Sequence, residues 1–147
     1  MKLILERWNI FLEGLLRGII PTREELVEFI TENPEQEINL DNPRGSSKAF
    51  GRGKENKVEL PFDYGEYPDI INPADNMGWD IIIVPSATKE DEFLIPVGHV
   101  EYTKDRRDKR GNDKIIIAPD GHYSDEDKQV IDDFFANLKG FEPVRWY

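Results

Sequence analysis

Apolar positions in the first thirty residues fall at helical intervals. Leu5, Trp8, Leu12, Leu15, Leu16 and Ile19 recur at steps of three and four, which puts them on one face of a helix. Gly18 and Pro21 end that pattern. Thr22, with Glu25 three residues on, forms a capping-box signature for a second helix whose apolar stripe is Leu26, Val27, Phe29 and Ile30. Asn33-Pro34 closes it. Residues 1–35 are therefore expected to form an N-terminal helical hairpin extension, packed on the core or offering a surface for an oligomer or partner.

From residue 36 the period changes. Seven of the ten prolines lie between Pro43 and Pro119, interleaved with short β-branched runs, of which Ile81–Val84, Leu94–Tyr102 and Lys114–Ile117 are the clearest. Short strands broken by Gly and Pro predict a small, closed or strongly curved β-structure rather than βαβ units. Helical spacing returns near the end, where Val130, Ile131, Phe134, Phe135 and Leu138 make one face. Ser124 is its expected cap, Asp125, Glu126 and Asp127 complement the helix dipole, and Gly140 is the expected stop. Trp79, beside a strand start, is expected in the core, and His99 and His122 are expected to be packing or surface residues.

Length and composition narrow the class. The 147 residues suit one compact domain, and 38% hydrophobic content is enough for a real core. With no cysteine, disulfide scaffolds, thiol nucleophiles and Cys-ligated zinc are excluded, which fits a cytoplasmic location. Two histidines are too few for a His-rich metal site, so a bound metal would rest on carboxylates, favouring Mg²⁺ or Mn²⁺. No apolar run reaches the roughly 18 to 20 residues needed to span a bilayer. Glu6, Arg7, Glu13 and Arg17 interrupt the N-terminal segment where a signal peptide would be continuous.

The net charge of −11 disfavours nucleic acid and anionic membranes as partners. Its distribution, however, is uneven. Arg44, Lys48, Arg52, Lys54 and Lys57 lie in one stretch, and Lys104, Arg106, Arg107, Lys109, Arg110 and Lys114 in another, so 11 of the 19 basic residues occupy 25 positions. Such clusters suit a small, highly charged anion, although solvated hairpin tips would look the same. Asp75 and Asp80 precede the Ile81 strand, and Asp105, Asp108 and Asp113 thread the second basic run. Carboxylates that hold Mg²⁺ beside bases that hold phosphate are the arrangement phosphoryl transfer needs.

Residues 38–147 resemble the soluble (family I) inorganic pyrophosphatases, through segments that match in order. Pro43-Arg44-Gly45-Ser46 with Lys48 is similar to the Pro-Lys-Gly-Ser and lysine segment that opens the family's barrel. Pro61-Phe62-Asp63-Tyr64-Gly65 is similar to Tyr-Pro-x-Asn-Tyr-Gly, with Arg52 at the distance of the phosphate-binding arginine. Asp75-Asn76-Met77-Gly78-Trp79-Asp80 resembles the D-x-D-P-x-D signature, and Pro96-Val97-Gly98 the family's Pro-x-Gly. Gly111-Asn112-Asp113-Lys114 resembles Gly-x-Asp-x-Lys, and Lys139 falls on the lysine that ends the C-terminal helix.

The resemblance implies an α+β fold: an OB-like closed β-barrel with a C-terminal helix packed on it, over residues 36–147. It implies Mg²⁺-dependent hydrolysis of pyrophosphate by a metal-activated water, in a cytoplasmic, homo-oligomeric protein. Asp75, Asp80, Asp113 and a loop carboxylate, Asp108 or Asp105, would hold metal. Lys48, Arg52, Tyr64, Lys114 and Lys139 would bind phosphate, and Asp75 or a loop Asp would take the proton of the water. Four positions depart from the pattern: Met77 and Asn112 replace expected aspartates, Phe50 a glutamate and Leu138 a tyrosine. A thioether neither ligates hard Mg²⁺ well nor accepts a proton. Two alternatives follow: a catalytically impaired module for phosphate-ligand binding or for assembly through the N-terminal helices, and a pocket for another phosphorylated compound such as a nucleotide.

Overall fold

A computed structural model describes residues 18–50, 57–102 and 113–147. The elements in chain order are α1 (Arg23–Glu32), β1 (Asn39–Asn42), β2 (Ser47–Ala49), β3 (Lys57–Glu59), β4 (Asp63–Asn72), β5 (Met77–Ile83), β6 (Leu94–Val100), β7 (Lys114–Pro119), α2 (Asp125–Ala136) and β8 (Arg145–Trp146). Six strands form one sheet in the order β1-β4-β5-β7-β6-β8, and β2 and β3 form a separate antiparallel pair. Within the large sheet β5 and β7 run parallel, and the other neighbours are antiparallel.

The fold is α+β, but the expected closed barrel is not found. Among the described residues the sheet ends on β1 and β8, and β2 and β3 pair with each other instead of extending it. The edge strands have four and two residues, too few to close a barrel. Closure is also unnecessary for burial. Ile81, Ile82, Ile83, Ile115, Ile116 and Ile117 are all fully buried, and such uninterrupted apolar strands need cover on both faces.

That cover comes from the helices. On one face α1 contributes Leu26, Phe29 and Ile30 to the core, and Trp79 donates its indole N–H to the Ile20 carbonyl at 3.3 Å. On the other, Phe134 and Phe135 of α2 meet Phe62, while Phe50 bridges Phe134 to Tyr64 by edge-to-face contacts at 5.8 Å each. The expected second N-terminal helix is thus α1, with its stripe spent on the core. The first lies outside the described residues. Ile19, assigned by its spacing to that first helix, instead bridges Ile71 of β4.

Capping follows the sequence closely at α2. The Ser124 hydroxyl accepts from the Asp127 N–H at 3.0 Å, and the Asp127 carboxylate accepts from the Ser124 N–H at 3.1 Å. The same carboxylate accepts from Ser86 N–H and hydroxyl at 2.9 and 2.6 Å, which ties the helix start to the loop after β5. The helix ends four residues before Gly140, at Ala136; the Asn137 N–H still reaches the Asp133 carbonyl, and the next N–H, of Leu138, turns to Phe135 in a tighter i→i−3 bond. Among the described residues no helix is long and apolar enough to cross a membrane.

Candidate functional site

Strand register places the chemistry. Asp80 faces Lys114 across the parallel β5–β7 pair and Glu66 across the antiparallel β4–β5 pair. Residues two apart on a strand share a face, so Tyr64, Glu66, Asp80 and Lys114 project to one side, the side covered by α2 and the β2–β3 hairpin. The Asp80 Oδ2 atom accepts from the Tyr64 hydroxyl at 2.9 Å and from the Lys114 ammonium at 3.0 Å. Lys48 reaches the same place from β2, its Nζ 4.5 Å from the Tyr64 ring centroid, with the Lys114 Nζ 5.4 Å from that centroid.

Four segments far apart in sequence therefore meet around one tyrosine ring. Burial raises the Tyr64 phenol well above its ordinary range, reinforced by the Asp80 charge, so the hydroxyl stays a donor at neutral pH. Burial also lowers Lys48, and the nearby Lys114 ammonium lowers it further. Asp80 is the carboxylate that Lys114 pairs with, and its charge partly offsets the lowering of Lys48.

Asp75 sits in the turn between β4 and β5, where its Oδ1 accepts from the Met77 N–H at 3.0 Å. Its carboxyl is raised, mainly by burial, with the Asp80 charge adding to the effect. Glu66 is raised by burial and then by Asp41 and Asp80. Neither Glu66 nor Asp41 was singled out from sequence. Glu66 carries a usable signal, since it lies two residues after Tyr64 on the same strand. Gly78 makes room for it: a Cβ there would stand 2.7 Å from Glu66 Oε2 and 2.6 Å from the Tyr67 carbonyl oxygen.

Other expected site residues lie elsewhere. Asp113 alternates with Lys114 and faces the opposite side of the sheet, where its Oδ2 pairs with Arg23 Nη1 at 2.7 Å. It is 2% exposed, and burial pushes its carboxyl up to about 6 against the opposing pull of Arg23. Lys139 is exposed in the turn after α2. Arg52 and Asp108, with the rest of both basic stretches' central residues, lie outside the described residues. Met77 is 61% exposed at the turn. Phe50, where the resemblance places a glutamate, is buried among aromatic rings.

Among the described residues no group of three or more His, Cys, Asp or Glu side chains is placed to hold a metal ion. Asp75 and Asp80, like Glu66 with Asp41 and Asp80, are close enough for their charges to interact. Two carboxylates fit Mg²⁺, which commonly takes one or two from the protein and completes its shell with phosphate oxygens and water. The expected packing roles also have definite places. Trp79 is fully buried, His122 is exposed in a turn, and His99 is buried with its Nδ1 2.9 Å from the Tyr147 hydroxyl. No family model, curated protein or solved structure matches this chain.

Proposed function

We propose that this chain is a pyrophosphatase-like protein that binds pyrophosphate or another small phosphorylated anion, and that its reaction is Mg²⁺-dependent hydrolysis of the phosphoanhydride, with Mn²⁺ as the alternative ion. One observation carries the reading: the Lys48 and Lys114 ammonium groups converge on the Tyr64 ring beside Asp80, and the charge of Lys114 helps lower Lys48. An anion placed there relieves that repulsion. The residues involved are those through which the pyrophosphatase resemblance runs.

Each side chain has a part in this scheme. Lys48 and Lys114 neutralise phosphate oxygens as point charges, with Arg52 as the bidentate partner expected from the sequence. The Tyr64 hydroxyl donates its one proton to Asp80 and so holds that carboxylate in place beside the anion. Asp75 and Asp80 would hold the metal, which when bound supplies charge neutralisation and an acidified water. Asp75, with its raised carboxyl, is the proton acceptor nearest in character to the task. A cytoplasmic location belongs to the same proposal.

A second reading is favoured by Met77, exposed where the resemblance has an aspartate, and by Asp113, buried against Arg23. On that reading the site binds its anion without efficient turnover. Calorimetry with pyrophosphate, and phosphate release with Mg²⁺ or Mn²⁺, decide between them. Binding with turnover of roughly 1 s⁻¹ or more supports the hydrolase. Binding without turnover, with activity appearing in Met77→Asp, supports the second reading. Neither binding nor turnover in the native chain overturns both.

A further inference from the structure

Lys114 occupies a vulnerable place in the sheet. It is the first paired residue of β7 on both sides: the β5 ladder begins at Asp80↔Lys114, and the β6 ladder ends at Val100↔Lys114. Strand ends fray where pairing stops. Just beyond that point stand Glu101 and Asp113, and a single guanidinium nitrogen holds both. Arg23 Nη1 donates to Glu101 Oε1 at 2.9 Å and to Asp113 Oδ2 at 2.7 Å.

Arg23 is itself firmly placed. It is the first residue of α1, whose Leu26, Phe29 and Ile30 are buried in the core. Burial opposes its charge, but the hydrogen bonds and charges of Glu101 and Asp113 outweigh that cost and raise its pKa. Asp113 is 2% exposed and its Oδ1 has no hydrogen-bond partner among the described residues, so Arg23 is the group that compensates this carboxylate.

We propose that Arg23 is a positioning residue for the anion site on the far side of the sheet. By stapling the two residues beyond the last β6–β7 pair, it fixes the end of β7 and keeps the Lys114 ammonium on Asp80 and over Tyr64. The functional consequence rests on reading that site as one that binds a phosphorylated anion. The placement of Lys114 does not.

The experiment therefore has two readouts. The first is the acetylation rate of Lys114, measured by mass spectrometry against exposed Lys89 in the full chain. The second is pyrophosphate affinity in Mg²⁺ by calorimetry. Arg23→Gln is expected to raise Lys114 acetylation and weaken pyrophosphate binding by about tenfold, the low end of what loss of a supporting partner costs a site. Arg23→Lys, which keeps the charge, restores most of the protection. The Arg23→Gln/Asp113→Asn double variant carries no uncompensated buried charge, and serves if Arg23→Gln alone does not fold. Loss of affinity should disappear when Arg23→Gln is made in a Lys114→Gln background. Unchanged Lys114 protection in the folded double variant overturns the proposal. If the native chain does not bind pyrophosphate, the functional reading fails while the acetylation readout still decides the role of Arg23.

Discussion

Two adjacent residues, Asp113 and Lys114, divide the chemistry of the sheet between its faces. Lys114 joins Asp80 and Tyr64 on one side, and Asp113 joins Arg23 and Glu101 on the other. On the Asp113 side lies His99, which burial and then the Arg23 charge push down to about 4. These two groups respond to acid in opposite senses. A carboxyl raised to about 6 in the folded state contributes stability that is fully present below its unfolded pKa of about 3.9 and is lost as pH rises through about 6. A histidine lowered to about 4 contributes stability that is present above its unfolded pKa of about 6.5 and is lost as pH falls towards 4. Asp113→Asn removes the first contribution and leaves the second. Relative to the native chain, the variant should be the more stable near neutral pH and lose that advantage as pH falls from about 6 to about 4. Urea midpoints measured at pH 7.5, 6 and 4.5 test this; parallel curves for the two proteins contradict it.

Elements meet where small residues let them. At the β1–β4 pair a Cβ on Gly65 would lie 2.1 Å from the Asn39 carbonyl oxygen, a backbone atom that cannot rotate away. This contact sets how closely the edge strand approaches and thereby the frame of Tyr64, the next residue upstream. Gly65→Ala is expected to destabilise the protein by about 2 kcal/mol, the middle of the range for overpacking. Thermal denaturation checks the value, and an unchanged midpoint would show that β1 moves freely. Residue pattern announced several elements well. Ser124 with its acidic first turn, the isoleucine runs of β5 and β7, and the stripe of α1 are local signals, and each corresponds to an element observed. Among the described residues the expected barrel is an open sheet instead, since short strands with frequent Gly and Pro are equally compatible with both. Closure depends on which edges pair, and no local pattern encodes that.

The chain as a whole is strongly acidic, yet two of its cations, Lys48 and Lys114, meet over one tyrosine ring. A net charge of −11 repels itself, and the repulsion is screened by salt over a Debye length that shrinks from about 20 Å to about 7 Å between 0.02 and 0.2 M. Raising ionic strength over that range is therefore expected to stabilise the fold by on the order of 1 kcal/mol, while weakening anion binding at Lys48 and Lys114. Urea denaturation and calorimetry at the two salt concentrations test both signs. Stability that fell with added salt would mean that the acidic residues are already paired.

Composition, period and spacing were sufficient for the isoleucine strands, the apolar stripe of α1 and the helix start at Ser124. The family resemblance named Lys48, Tyr64, Asp80 and Lys114 together, and side-chain geometry joins them around one ring. Sequence could not place Asp113 against Arg23 rather than beside Asp80, because that depends on strand alternation carried through a register set by distant partners. Nor could it show Glu66 beside Asp80, or Arg23 behind the site on the opposite face of the sheet. Arg23 is 90 positions from Asp113. Contacts of that separation arise only when two faces of a sheet are covered by different parts of the chain, a property of packing and not of any local pattern.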